Sequence, residues 1–257
     1  MTLQAAADDA RLALACLDLT SLNDVDDDAA IDALCRRAVT PWGAVAAVCV
    51  WPRFVTRARR ALPSAVKVAA VANFPAGALD AALAVDDARA IVDAGGDEVD
   101  LVLPWRAMLG GQGARAAALV AEVRAACPGV TLKLILESGE LPTPDAVRQA
   151  SRIGLDQGAD FLKTSTGKTP RGATRDAAAV MLDAIAAHPR GAVVGFKASG
   201  GIRTVADAAF YATLVRARLG VAAMGPQRLR FGASGLLSDI ERVLGGEGGL
   251  PSAGTGY

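Results

Sequence analysis

FLKTSTGK, residues 161–168, puts a lysine inside what otherwise reads as a short buried strand. Phe161 and Leu162, with the β-branched Thr164 and Thr166, favour a pleated and packed setting. A lysine within such a run needs a partner or a task, because an unpaired buried charge is strongly unfavourable.

Working outward from DFLKTST (160–166), seven other runs share its character: LDLTSL (17–22), AVAAVCVWP (44–52), VKVAAVAN (66–73), DEVDLVLP (97–104), TLKLILES (131–138), AVVGFKAS (192–199) and RLRFGAS (228–234). Ala-rich amphipathic stretches separate them, at 26–38, 80–94, 114–126, 144–157, 176–187 and 205–219, with a further helical pattern at 5–16 and a last one running through Arg242. Eight strand and helix units in 257 residues predict an α/β chain folded as a single (β/α)8 TIM barrel, with an open doubly wound sheet as the alternative. One domain spans 1–257, and its glycine-rich end, about 245–257, reads as a flexible tail.

Composition sets limits on function. A hydrophobic share of 52% with few aromatics suits small helices on a parallel sheet, and 27 basic against 27 acidic residues leave no global field to hold nucleic acid or an anionic membrane. Cys16, Cys35, Cys49 and Cys127 lack paired spacing and read as free thiols. No stretch resembles a signal peptide or an uncharged membrane span, so the expected location is the cytoplasm. His188, the single histidine, is expected at the surface beside Pro189, and one histidine argues against a zinc site.

Strands of a parallel barrel should be apolar on both faces. Four runs break that rule with Asp100, Lys133, Lys163 and Lys197. By the two-residue period of a strand, Val99, Leu101 and Leu103 face the helices while Asp100 faces inward, and Lys163 and Lys197 follow the same logic. Glu137 is a candidate second carboxylate, and Asp18, in LDLTSL, is placed at a pocket mouth. A structural ion network is the bland reading. Three lysines against one aspartate point instead to chemistry, since desolvation and a second cation turn a lysine into a nucleophilic amine.

Two glycine-rich turns follow the last two strands: SGGIRT (199–204), with Gly200 and Gly201, and FGASGLL (231–237), with Gly232, Ser234 and Gly235. Barrel enzymes often bind phosphate at this place. Gly167 and Lys168 add a third side to the rim. TSTGKT is not a nucleotide-binding loop, because Leu162 stands where that motif requires its first glycine.

With these motifs in place, the chain resembles the deoxyribose-phosphate aldolases, class I aldolases, almost from end to end: LDLTSLND, CVWPRF, ANFPAG, DEVDLVLP, LKLILESGEL, DFLKTSTGK, GFKASGGIRT, RFGAS and a terminal Tyr. The resemblance implies a barrel without metal or cofactor that reversibly cleaves 2-deoxy-D-ribose 5-phosphate to acetaldehyde and D-glyceraldehyde 3-phosphate, in deoxyribonucleotide catabolism. It assigns Lys163 to the Schiff base and Lys197 and Asp100 to proton relay, with Lys133 in the surrounding network. Gly167, Lys168, Gly200, Gly201, Gly232 and Ser234 are assigned to the phosphate. Tyr257 is read either as a proton shuttle or as a disordered end. Expected partners are phosphosugar and aldehyde substrates, with no nucleic acid or membrane, and a homodimer is admitted without any residue selecting it. Departures from the family pattern fall at Ala198, Ser199, Gly235 and the VLPW run. Another Schiff-base aldolase and a noncatalytic phosphosugar-binding barrel are the competing readings.

Overall fold

In the computed structural model, which describes residues 3–246, eight parallel strands follow one another around a closed barrel. They are β1 (Leu17–Thr20), β2 (Ala47–Val50), β3 (Lys67–Ala72), β4 (Glu98–Val102), β5 (Thr131–Ile135), β6 (Phe161–Lys163), β7 (Gly195–Ser199) and β8 (Leu229–Ala233), and β8 pairs back onto β1. A helix follows every strand, from Asp28–Arg37 after β1 to Leu236–Gly245 after β8, and Leu3–Ala15 precedes β1. The open doubly wound sheet is thereby excluded.

Helix starts follow local chemistry. Asp27, Asp80, Thr143, Thr174 and Thr204 each accept a hydrogen bond from the amide three residues on, caps worth about 1 kcal/mol apiece. Outward strand residues such as Val48, Val68, Val99, Leu134, Leu162 and Phe196 join the inner helix faces in one continuous core. The inward residues of β2 and β3 form a second, smaller apolar cluster of Cys49, Ala69 and Val71 with Leu22, flanked by Trp51 and Phe74. The barrel interior thus has an apolar wall on β2 and β3 and leaves its charges to the other strands. All four cysteines are buried free thiols. Among the described residues, no helix is long and apolar enough to cross a membrane.

Several expectations need correction. Lys163 is the last residue of β6, not an interior one, because the chain leaves the ladder once Thr164 has bonded the Lys197 carbonyl through its amide. Its place at the carboxyl end of a strand is where barrel enzymes carry their chemistry. The 44–52 run begins its barrel strand only at Ala47, since Gly43–Ala44 turns back on Val39–Thr40 as a small antiparallel hairpin. The VLPW departure opens a short helical segment, Trp105–Ala107, that continues as a π-helical turn over Met108–Gln112. His188 is half-buried, with Nε2 3.4 Å from Asp156. Tyr257 and most of the expected tail lie outside the described residues.

Helix Pro144–Asp156 packs on β5 and β6 through Gly154, where an added Cβ would lie 2.6 Å from Leu162 Cδ2 and 2.9 Å from Leu134 Cδ2. Gly154→Ala should overpack this contact and lower stability by about 1–3 kcal/mol. A fall in the urea midpoint at unchanged slope is the result to look for, and an unchanged midpoint would show that the layer yields.

Candidate active site

The inward charges meet as the strand period requires. Asp100 on β4 is in register with Lys133 on β5, and Lys163 on β6 is in register with Lys197 on β7, which in turn is in register with Arg230 on β8. Two lysines are therefore held side by side on adjacent strands about 4.8 Å apart. Asp100 lies between them: Lys163 Nζ and Lys197 Nζ each donate to its Oδ2 at 2.8 Å, and Lys133 Nζ donates to its Oδ1 at 2.7 Å.

Asp18 is not at a pocket mouth. It is fully buried inside the barrel, where it pairs with Lys197 and with Arg230 Nη1 at 2.6 Å. Glu98 closes the lower side of the network, bonding Lys133 and Arg230 Nη2, the latter at 2.8 Å. Glu137 stands apart from all of these and bonds the loop after β6. Glu98 and Arg230 are functional candidates that the sequence reading passed over. Their signal was present, since Glu98 shares a strand face with Asp100 and Arg230 alternates with Leu229 and Phe231, but both look like charges at a strand's start.

Four cations, Lys133, Lys163, Lys197 and Arg230, thus face three carboxylates, Asp18, Glu98 and Asp100. The apparent lysine excess of the sequence shrinks to a single surplus positive charge, and the electrostatics show where it is relieved. Burial disfavours the charged form of every lysine here. For Lys197, the two carboxylates Asp100 and Asp18 outweigh burial and hold its pKa above the ordinary value. Lys133 is likewise raised, by Asp100, Glu98 and Asp18. Lys163 has one carboxylate only: burial pushes it down, Asp100 resists, and Lys197 adds to the fall, leaving its pKa below that of a free lysine. Burial also opposes the charge on Asp100, but three lysines overcome it and keep the carboxyl well below its usual range.

Lys163 is also the one member of this network that borders the adjoining cavity of about 460 Å³. The remaining walls come from the loops at the carboxyl ends of the strands, including Thr20, Asn23, Thr166, Gly167, Lys168, Gly200, Gly201, Arg203, Gly232 and Ser234. Every rim residue singled out from the sequence therefore lies on one cavity, joined by Arg203, which was not singled out although its charge follows the Gly200–Gly201 pair directly. Gly232 permits a close approach, because a Cβ there would press on Lys197 Cε and Ser199 Cβ, both at 3.0 Å. Gly167 is at φ +78, a backbone state glycine adopts freely. Helix Leu236–Gly245 begins at Gly235 with no side-chain cap, so its first amides are not occupied by a capping side chain and suit an anion. Lys168 Nζ reaches the Leu22 carbonyl at 2.7 Å, on the β1 side of the cavity.

The charge count predicts an asymmetry among substitutions. Arg230→Met should leave Asp18 and Glu98 underpaired and destabilise the fold by about 3–5 kcal/mol, whereas Lys163→Met leaves Asp100 still held by Lys133 and Lys197 and should cost much less. Denaturant unfolding of the two variants checks this. Equal destabilisation by both would refute the charge balance.

Comparison with known proteins follows the same direction. The family model described as DeoC/LacD family aldolase matches residues 12–238. A curated deoxyribose-phosphate aldolase of Agrobacterium fabrum (strain C58 / ATCC 33970) is 44% identical over 260 residues, covering 100% of this chain and 99% of its own. Among solved structures, the apo form of a putative deoxyribose-phosphate aldolase from Toxoplasma gondii ME49 superposes with a TM-score of 0.84 at 25% identity, over 94% of this chain and 97% of that one. A putative deoxyribose-phosphate aldolase from Coccidioides immitis gives 0.76 at 29% identity, over 91% and 87%.

Proposed function

Because the chain belongs to the DeoC/LacD family of aldolases, we propose that it is a lyase cleaving 2-deoxy-D-ribose 5-phosphate reversibly to acetaldehyde and D-glyceraldehyde 3-phosphate, through a Schiff base on Lys163. The reaction serves deoxyribonucleotide and deoxynucleoside breakdown. One observation carries the assignment of the nucleophile: of two buried, adjacent lysines, only Lys163 has its pKa lowered, and it is the one that borders the cavity.

The uncharged Lys163 amine attacks the C1 aldehyde of the open-chain sugar, and loss of water gives a cationic imine. This imine carries the same charge as the ammonium it replaces, so Asp100 can hold either at the same place. Removal of the proton from the C3 hydroxyl lets the C2–C3 bond break, its electron pair passing into the imine to form an enamine, while C3 leaves as the aldehyde of glyceraldehyde 3-phosphate. Protonation of the enamine at C2 and hydrolysis then release acetaldehyde. Lys197, an ammonium held by Asp18 and Asp100, exchanges protons with the reacting centre through water. Asp100 anchors both amines. As the ionised carboxylate between them, it accepts the C3 hydroxyl proton through water and returns it by way of Lys197 for protonation of the enamine at C2. Lys168, Gly167, Gly200, Gly201, Gly232 and Ser234 take the phosphate, so that binding energy remote from C1 orients the reacting carbons. Gly235 supplies a backbone amide and no hydroxyl. The apolar cluster of Cys49, Ala69 and Val71 reaches the cavity through Leu22.

Borohydride added during turnover should trap a reduced adduct that mass mapping places on Lys163, and Lys163→Met should abolish cleavage. Failure to trap any adduct, or activity in that variant, would defeat the mechanism. The dependence of kcat/KM on pH gives a second check. A depressed Lys163 pKa means that the reactive free amine appears as pH rises through a value below that of ordinary lysine, so the ascending limb lies there. Lys197→Met removes a neighbouring cation and should move this limb to higher pH; a shift to lower pH would contradict the assigned roles.

A further inference from the structure

Glu137 is fully buried, yet among the described residues no cation lies within ion-pairing distance of its carboxylate. Its backbone is at φ +54, a left-handed state uncommon for residues other than glycine. A lone buried carboxylate on a strained backbone carries two costs at once, and such features persist where the surroundings determine them for a purpose. The catalytic network does not use it.

Its partners all come from the loop that follows β6. Glu137 Oε2 accepts the Thr166 hydroxyl at 2.6 Å, and Oε1 accepts the Thr166 amide at 3.2 Å, with the Thr169 hydroxyl also 3.2 Å from Oε1. With its hydroxyl hydrogen directed to Glu137, Thr166 Oγ1 is left to accept the Lys168 amide at 3.0 Å. The bonds form a directed chain, Lys168 amide to Thr166 hydroxyl to Glu137 carboxylate, bridging Gly167. Thr166, Gly167 and Lys168 all line the cavity, and Glu137 does not. Behind it, Gly139 lies so close to the Arg171 carbonyl that a Cβ there would overlap it. The loop after β5 therefore backs the loop after β6 along its length.

We propose that Glu137 is a positioning residue for phosphate: without touching substrate, it sets the Thr166–Gly167–Lys168 segment so that the Gly167 amide and the Lys168 ammonium converge on the phosphate ester. This rests on the substrate class assigned above. A purely electrostatic role predicts the opposite sign, because deleting a negative charge beside an anion site tightens anion binding.

The test compares Glu137→Ala, Glu137→Asp and Glu137→Gln in the full chain. Inorganic phosphate affinity is measured by calorimetry, and kcat and KM are measured on deoxyribose 5-phosphate and on unphosphorylated deoxyribose. Glu137→Ala should raise the phosphate Kd and the KM for the phosphorylated sugar about tenfold, the equivalent of one lost hydrogen bond to a charged group. Its kcat should change little, and turnover of the unphosphorylated sugar should match wild type. Glu137→Gln keeps an oxygen for the Thr166 hydroxyl and should stay close to wild type. Glu137→Asp tolerates the left-handed backbone but withdraws the carboxylate, so it should show the same split as Glu137→Ala and carries the test if that variant does not fold. Unchanged or tighter phosphate binding in Glu137→Ala and Glu137→Asp, or equal losses on both sugars, overturns the proposal. The phosphate Kd decides it even if the wild-type enzyme cleaves a different phosphosugar, which would defeat only the substrate assignment.

Discussion

Asp100 shared among three lysines is the interaction on which the site depends. A carboxylate with one lysine would form an ordinary buried ion pair, whose attraction does little more than offset desolvation. Here the two oxygens of Asp100 hold Lys133, Lys163 and Lys197 together, and neither Asp18 nor Glu98 reaches Lys163. The surplus charge therefore falls on the lysine with the fewest anionic neighbours. Burial, with Lys197 beside it, holds the pKa of that lysine below the ordinary value, the direction that favours the free amine needed for carbonyl attack.

The scaffold makes this arrangement durable. Parallel registration places Lys163 beside Lys197 and Asp100 beside Lys133 without recourse to loops. Arg230, bonded to both Asp18 and Glu98, ties β8 to β1 and β4 across the barrel. At the strands' amino ends, Asp97 binds Arg59 and Asp160 binds Arg124, bracing the face away from the cavity. Lys163, the proposed nucleophile, is set at the opposite end, where β6 stops and the supported loop begins. Rigidity below and open space above suit the Schiff-base role proposed for it.

Much of this was readable in the residues. The spacing of apolar runs and Ala-rich stretches determines eight strand and helix units, because a two-residue period and a 3.6-residue period leave different marks. The same alternation sends Asp100, Lys133, Lys163 and Lys197 inward. The resemblance to deoxyribose-phosphate aldolases rests on motifs that contain those residues. Glu98 and Arg230 follow the identical rule and were passed over because they adjoin strand starts, where exposed charges are common. Arg203 was missed within a turn read for its glycines.

What the sequence by itself determined, then, is the barrel, the inward direction of its charges and the glycine turns on one rim, all consequences of local periodicity and backbone freedom. Tertiary structure alone decided the count of four cations against three carboxylates, because Asp18 and Arg230 meet across 212 positions of chain. It also decided which of two adjacent lysines loses its proton more readily, since that depends on the number of carboxylates within reach and not on the residue's own motif. The separation of Glu137 from the catalytic network is of the same kind: sequence places it among inward charges, and only the left-handed turn of its backbone aims it at the loop beyond Lys163.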